Sequence, residues 1–309
     1  MQRERVEHGS AAVARRGPSR GDTMSQGMAK RATHWVVLLV GAIVAGATLL
    51  LAVSSASQAA STASIPTLQF NCDYLKGAAI DPILDPPHSH DHDFYGNMGV
   101  AANSTYESLV ANKQTTCNIA AGTASYWHPA FRDGGKVQTP LAITNYYRDT
   151  GERSPNMKPI PEGLQNIATL DNGNVKYRCG KGTATSTPPV GCASEWRVAF
   201  QFPNCWNPKA GKGPDSVKFS PRKCPASHPY EFPEHQMEVK FPRPADGRVD
   251  APVEVSAGEG EWRLATEFAH ADRFNADQDP TFNDKWMGPC VLDVPAGGSS
   301  PGFCENARD

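Results

Sequence analysis

Three histidines and two aspartates crowd into His88-Ser89-His90-Asp91-His92-Asp93, just after the turn-forming run Asp85-Pro86-Pro87. Neutral imidazole is the commonest protein metal ligand, and a carboxylate can ligate beside it or orient it. In an extended segment residues i, i+2 and i+4 share one face, so His88, His90 and His92 project together and Asp91 and Asp93 oppose them. Far along the chain, His270 and Asp272 repeat the i, i+2 spacing. His90, His92, His270 and Asp272 are therefore the candidates for acid–base catalysis, with His90 and His92 also candidate ligands of a divalent metal. Such chemistry requires the two pairs to converge, with His92 and His270 within roughly 10 Å of one another. The competing reading is a solvated histidine-rich turn and a structural His270–Asp272 hydrogen bond.

Tyr126-Trp127 and Trp206 are the candidates for substrate binding, as an aromatic platform under a sugar ring. The alternative for them is core packing, and Trp206 adjoins Cys205. No Gly-rich phosphate loop, Gly-x-Ser-x-Gly elbow or His-Glu-x-x-His helix occurs. That argues against nucleotide enzymes, the usual α/β hydrolases and zinc-helix peptidases.

Strands are the elements best suited to hold such a site. Trp196, Val198, Phe200 and Phe202 alternate with polar or small residues, as do Met237, Val239 and Phe241, and then Trp262, Leu264, Thr266 and Phe268. This is the period of half-buried strands. Ser104-Thr105-Tyr106-Glu107 has the spacing of a capping box and predicts a short helix through Val110. Pro161-Glu162-Gly163-Leu164 predicts a brief turn. The fold class is all-β or β-rich: a disulfide-stabilised β-sandwich with long loops and a few short helices. Ile80, Ile83, Leu109 and Tyr126-Trp127 join the strand faces in the expected core.

Residues 1–34 form a basic leader, and residues 35–53 follow as nineteen residues without a charge. That is long enough to cross a bilayer as a helix, with the leader held in the cytoplasm. Small residues at Ser57-Gln58-Ala59 equally suit signal-peptide cleavage near Ala59. Anchor and cleaved signal export the same domain, residues 69–309, behind a Ser/Ala/Thr-rich linker at 54–68. All eight cysteines lie beyond the apolar run, which reads as up to four disulfides in an exported protein. Pairing each with its neighbour (72–117, 179–192, 205–224, 290–304) closes the shortest loops. After the leader, 23 basic residues face 29 acidic ones with no basic block, so nucleic acid is excluded as a partner.

Asp81-Pro82-Ile83 followed by Ser89-His90-Asp91-His92-Asp93-Phe94-Tyr95-Gly96-Asn97 resembles the opening motif of the domain of unknown function 1996, a family of exported bacterial and fungal proteins. Ala124-Ser125-Tyr126-Trp127-His128-Pro129, Pro161-Glu162-Gly163-Leu164, Phe202-Pro203-Asn204-Cys205-Trp206, Cys224-Pro225-Ala226-Ser227-His228-Pro229 and His270-Ala271-Asp272 with Phe274-Asn275 resemble later blocks in the same order. The resemblance spans roughly residues 70–290 and implies no established activity. Three departures stand out. Asn207-Pro208 replaces the usual Asp-Gly, the segment 215–220 lacks a second histidine pair, and Arg273 and Asp277 stand where aromatics are common. The expected role is an exported or membrane-tethered domain that binds, or also processes, an extracellular or cell-envelope polysaccharide through the His/Asp site. The alternatives are a non-catalytic surface module and an extracellular metal-binding protein.

Overall fold

The computed structural model describes residues 64–309 apart from 85–89, 150–156, 172–173, 222, 245–248 and 250–251. The leader, the apolar run 35–53, the start of the linker and His88 lie outside the described residues. Among those described, no helix is long and apolar enough to cross a membrane.

Nine antiparallel strands form the principal sheet: β1 (Thr67–Ala78), β2 (His92–Gly96), β3 (Ser125–Pro129), β4 (Ala142–Arg148), β5 (Gln165–Thr169), β6 (Asn174–Cys179), β7 (Trp196–Gln201), β8 (Glu234–Phe241) and β9 (His270–Phe274). Their spatial order is β5-β9-β3-β2-β1-β4-β8-β7-β6. The sheet curls until β5 approaches β6 and β7, so its two halves enclose one core. Across that core His128 on β3 meets Phe200 on β7 and Phe241 on β8, each at 6.2 Å between ring centroids. The β-rich sandwich is thus one continuous sheet folded over. A four-stranded sheet (Phe131–Asp133, Lys136–Gln138, Val253–Gly258, Glu261–Leu264) and a small three-stranded one (Cys205–Trp206, Val217–Lys218, Tyr230–Glu231) complete the architecture.

The alternating strands form where the sequence places them. Burial along β7 alternates strictly, with Trp196, Val198 and Phe200 inside. The third alternating run behaves differently: its strand stops at Leu264, and Ala265–Phe268 forms a one-turn helix. Tyr177 Oη donates to Ala265 O at 2.9 Å, fixing the bend that delivers the chain into β9. The helix after Ser104 spans Tyr106–Ala111. Its cap is Thr105, whose Oγ1 accepts from Ser108 N while Ser108 Oγ accepts from Thr105 N.

Strands β2, β3 and β9 are buried on both faces. One face looks into the main core through Tyr95, Tyr126 and Ala271. The other carries Phe94, Trp127 and Phe274, over which lie Leu109 of the helix and Ile80 and Ile83 of the preceding loop. The closing residues of the histidine motif build this cover. Gly96 has φ +81°, and a Cβ there would sit 2.1 Å from Ala124 O. Only glycine meets both demands. Asn97, fully buried, donates through Nδ2 to Leu109 O and Thr123 O at 2.8 and 2.9 Å and ties down the loop between β2 and β3.

All eight cysteines are paired with their sequence neighbours: Cys72–Cys117, Cys179–Cys192, Cys205–Cys224 and Cys290–Cys304. The first bridge spans 45 residues and the others 13, 19 and 14. Loop-closure entropy then gives it about 4 kcal/mol against about 3 for each of the others. Replacing Cys72 and Cys117 together by Ala should lower unfolding stability in urea more than replacing Cys179 and Cys192; equal losses would contradict the loop-length argument.

His128 supplies a second check. It is fully buried, its Nδ1–H donates to Pro129 O at 2.7 Å, and its Nε2 accepts from Tyr95 Oη–H at 2.9 Å. Burial holds its pKa down to about 4. The unfolded state takes up this proton near the ordinary value of about 6.5. Stability from this residue is therefore intact above that pH and is lost as pH falls toward 4, by about 3 kcal/mol. His128→Gln should gain that amount relative to the parent between pH 7 and 4. Parallel pH–stability curves for the two proteins would refute this assignment.

Candidate metal centre

Neighbouring strands bring the two sequence-distant pairs together. β3 lies between β2 and β9, with Phe94 and Asp272 both opposite Trp127. His92, two residues before Phe94, and His270, two before Asp272, therefore rise on the covered face of the sheet. His90 enters from the loop just ahead of β2, which Asp91 secures by donating N–H to Ser256 Oγ and accepting from Ala130 N. Ring centroids are 4.1 Å apart for His90 and His92, 5.2 Å for His90 and His270, and 5.6 Å for His92 and His270.

One nitrogen of each buried imidazole is committed to backbone. His92 Nδ1 lies 2.9 Å from Ile80 O and His270 Nδ1 lies 3.4 Å from Phe268 O. A carbonyl only accepts, so both Nδ1 atoms carry the proton. The Nε2 lone pairs are then left facing each other at 3.5 Å. Asp272 Oδ2 is also 3.5 Å from His270 Nε2. Ligand atoms of His90, His92 and His270 all fall within 4.8 Å of one another, and so do those of Asp81, His92 and Asp272. His92 belongs to both sets, so the two triads meet at one imidazole.

The electrostatics of this volume are severe. Asp272 is fully buried, and neither of its carboxylate oxygens has a hydrogen-bond partner among the described residues. Burial pushes its pKa well above the carboxylate range, and the Asp81 carboxylate pushes in the same direction. Asp81 is raised too, because burial outweighs the N–H groups of Leu84 and Ile83 that its Oδ1 accepts at 3.0 and 2.8 Å. Burial lowers His270 to about 3 and His92 well below its ordinary value, and neighbouring His90 lowers both further. His90, half-buried, is lowered by burial. The imidazoles are therefore held neutral, and burial disfavours the charged form of the two carboxyl groups beside them.

A cleft of about 550 Å³ opens on this cluster. His90, His270 and Asp81 form part of its lining, while Asp171, Asp215 and Glu267 stand at it as exposed carboxylates. Asp215 comes from the segment in which the resembled family carries a histidine pair.

The aromatic platform is a correction. Tyr126 and Trp127 are adjacent on one strand, point to opposite faces and are both fully buried. Tyr126 Oη bonds Tyr147 Oη at 2.8 Å inside the main core, and Trp127 stacks on Phe94 under the loop. Neither has a face to offer a sugar. Trp206 is partly buried, packs edge-on against Tyr230 and donates Nε1–H to Gly211 O; it does not line the cleft. Asp93 points away from the site, toward the Tyr74 hydroxyl, and burial lifts it to about 7. Asp81 is the residue that side-chain counting passed over, although its Asp-Pro-Ile motif marked the place. The two aromatic-to-charge departures compensate each other: Arg273 reaches Asp277 at 3.4 Å and Asn275 at 2.8 Å, all buried, with its guanidinium over Tyr147.

No match was found among curated proteins or among solved structures. The family model described as "Domain of unknown function (DUF1996)" matches residues 81–276. That span begins at Asp81 and closes just past Asp272, so it takes in every donor of the cluster. The chain belongs to the family of the domain of unknown function 1996.

Proposed function

We propose that this is an exported domain that holds a divalent transition-metal ion on His90, His92, His270 and Asp272 and uses it to bind or process an extracellular polysaccharide. The observation that carries the reading is the approach of the His92 and His270 Nε2 atoms to 3.5 Å beside two buried carboxyl groups. Two ligands on one tetrahedral zinc lie roughly 3.3 Å apart, given Zn–N bonds of about 2.0–2.1 Å. Imidazole with carboxylate suits zinc, copper or iron better than calcium or magnesium. Three imidazoles and Asp272 would fill a tetrahedral shell, so a substrate or water would enter as a fifth ligand. Bound water there would be acidified to a pKa near 7, which supplies a nucleophile for hydrolysis. Four disulfides are consistent with an extracytoplasmic location. Residues 35–53 would serve the export, as an anchor or as a signal cleaved near Ala59. The non-catalytic surface module is the second reading, favoured by the absence of histidine from the 215–220 segment on the cleft wall.

Protein purified without a His-tag should contain about one transition-metal ion per chain by mass spectrometry of the elements. Removing the ion with a chelator should lower the melting temperature, and at a free metal concentration of 100 Kd its return should restore about 2.7 kcal/mol. Asp272→Asn, close in shape, and His90→Gln, at a half-buried position, should each weaken metal binding at least tenfold while the fold persists. Protein that stays metal-free in the presence of zinc, copper, iron and manganese would overturn the proposal.

A further inference from the structure

A second cleft, of about 700 Å³, shares no residue with the one that opens on the metal cluster. Asn71, Asn118, Phe303, Glu305, Asn306 and Arg308 line it. Two disulfides hold its walls. Asn71 and Asn118 each adjoin a cysteine of Cys72–Cys117, while Phe303 and Glu305 flank Cys304 of Cys290–Cys304. Asn71 N donates to Asn118 Oδ1 at 3.0 Å, and Asn118 N donates back to Asn71 O at 2.9 Å. On the other wall Ala307 N donates to Gln69 O at 2.7 Å. It follows Asn306, the one non-glycine residue with positive φ (57°) among the described residues.

The three asparagines share one arrangement, with the amide oxygen held and the NH2 group open. Asn71 Oδ1 accepts from Thr144 Oγ1 at 2.7 Å and from the Lys240 ammonium at 3.3 Å. Asn118 Oδ1 accepts from Asn71 N, and Asn306 Oδ1 accepts from Gln69 Nε2 at 2.8 Å. None of the three NH2 groups donates to another of the described residues. Beside them Phe303 is 53% exposed, its ring braced by buried Trp286 at 6.2 Å between centroids. A lone exposed phenyl ring is ordinary on a protein surface. One set among three fixed hydrogen-bond donors pairs an apolar face with convergent polar groups, which is the make-up of a ligand site. Glu305 and Arg308 are exposed, form no ion pair among the described residues, and leave the lining with balanced charge.

We infer that this cleft is a subsite for a neutral saccharide, separate from the metal centre and independent of it. The C–H face of a pyranose would cover the Phe303 ring. Sugar oxygens would accept from the amide NH2 groups and Arg308, and a sugar hydroxyl would donate to Glu305. Walls fixed in advance by disulfides and by the amide oxygens lower the ordering cost of binding. Of the six residues only Asn118 falls within the span 81–276, so segments flanking the family domain assemble the subsite.

Titration calorimetry on the full chain with hexamers of glucose, mannose, N-acetylglucosamine and glucuronate tests this, before and after the metal is removed with a chelator. At least one neutral hexamer should bind the metal-stripped protein, with an affinity that changes less than about twofold between low and high salt. Phe303→Ala should lower that affinity about tenfold. Asn118→Asp with Asn306→Asp keeps both oxygen contacts, removes two donors and should lose as much; both variants should keep the parent's melting temperature and metal content. Binding of no neutral hexamer to the metal-stripped protein, or unchanged affinity in either variant, would overturn the subsite. Glucuronate bound more tightly than every neutral hexamer, with affinity falling as salt rises, would overturn it as well. So would glycan binding that disappears with the metal and survives Phe303→Ala, since saccharide recognition would then lie wholly at the metal centre.

Discussion

Burying a carboxylate without a positive partner costs several kcal/mol, and proteins meet that cost with a cation, a proton or a set of hydrogen bonds. Asp272 has no hydrogen bond among the described residues, and the charge nearest to it in effect is another carboxylate, Asp81. The adjacent imidazoles do not relieve it, since burial keeps His92 and His270 neutral. The proposed dication would balance both carboxylates and take up three imidazole lone pairs at once. Protonating Asp272 and Asp81 would leave a site of the same shape but would not explain why two imidazole nitrogens face each other at 3.5 Å.

The fold is arranged around that demand. A strand buried on one face has room for polar groups only on the other, yet β2, β3 and β9 are covered on both. Their polar residues therefore depend on partners inside the protein. On the core side His128 is satisfied by Tyr95 and Pro129, while Arg273 reaches Asn275 and Asp277 through Nη2 alone and its buried Nε and Nη1 have no hydrogen-bond partner among the described residues. On the covered side His92 is held by Ile80 O, and the loop that supplies this carbonyl also brings Asp81. The Gly96-Asn97 end of the motif fixes the next loop over the same face. One short sequence motif thus contains His90 and His92 together with the Gly96-Asn97 turn that fixes the neighbouring loop.

Much of this was legible in the residues themselves. Alternating hydrophobicity marked β7 and β8, the confinement of cysteines marked the disulfide framework, and nearest-neighbour pairing followed from loop length. Matching i, i+2 spacing pointed to His90, His92, His270 and Asp272 as one site because ligands must converge. The central strands were harder. A strand covered on both sides shows no alternation, so Tyr126 and Trp127 looked as suited to a surface platform as to a core. The run from Trp262 to Phe268 kept its alternation through a bend, since periodicity does not register the backbone turn that Tyr177 secures. Asp81 read as a turn residue before proline, and it is one; its second oxygen's neighbourhood depends on packing from β9. Asp171 and Glu267 carry no local signal, because an exposed carboxylate on a loop looks like any other.

The most direct test of the metal centre is X-ray absorption at the metal edge of tag-free protein, compared with Asp272→Asn. The account predicts a first shell of about three imidazole nitrogens and one or two oxygens at roughly 2.0–2.2 Å, with the outer-shell scattering of histidine rings. The variant should lose an oxygen scatterer and keep the imidazoles. A shell of oxygen alone, with no histidine outer-shell signal, would contradict it.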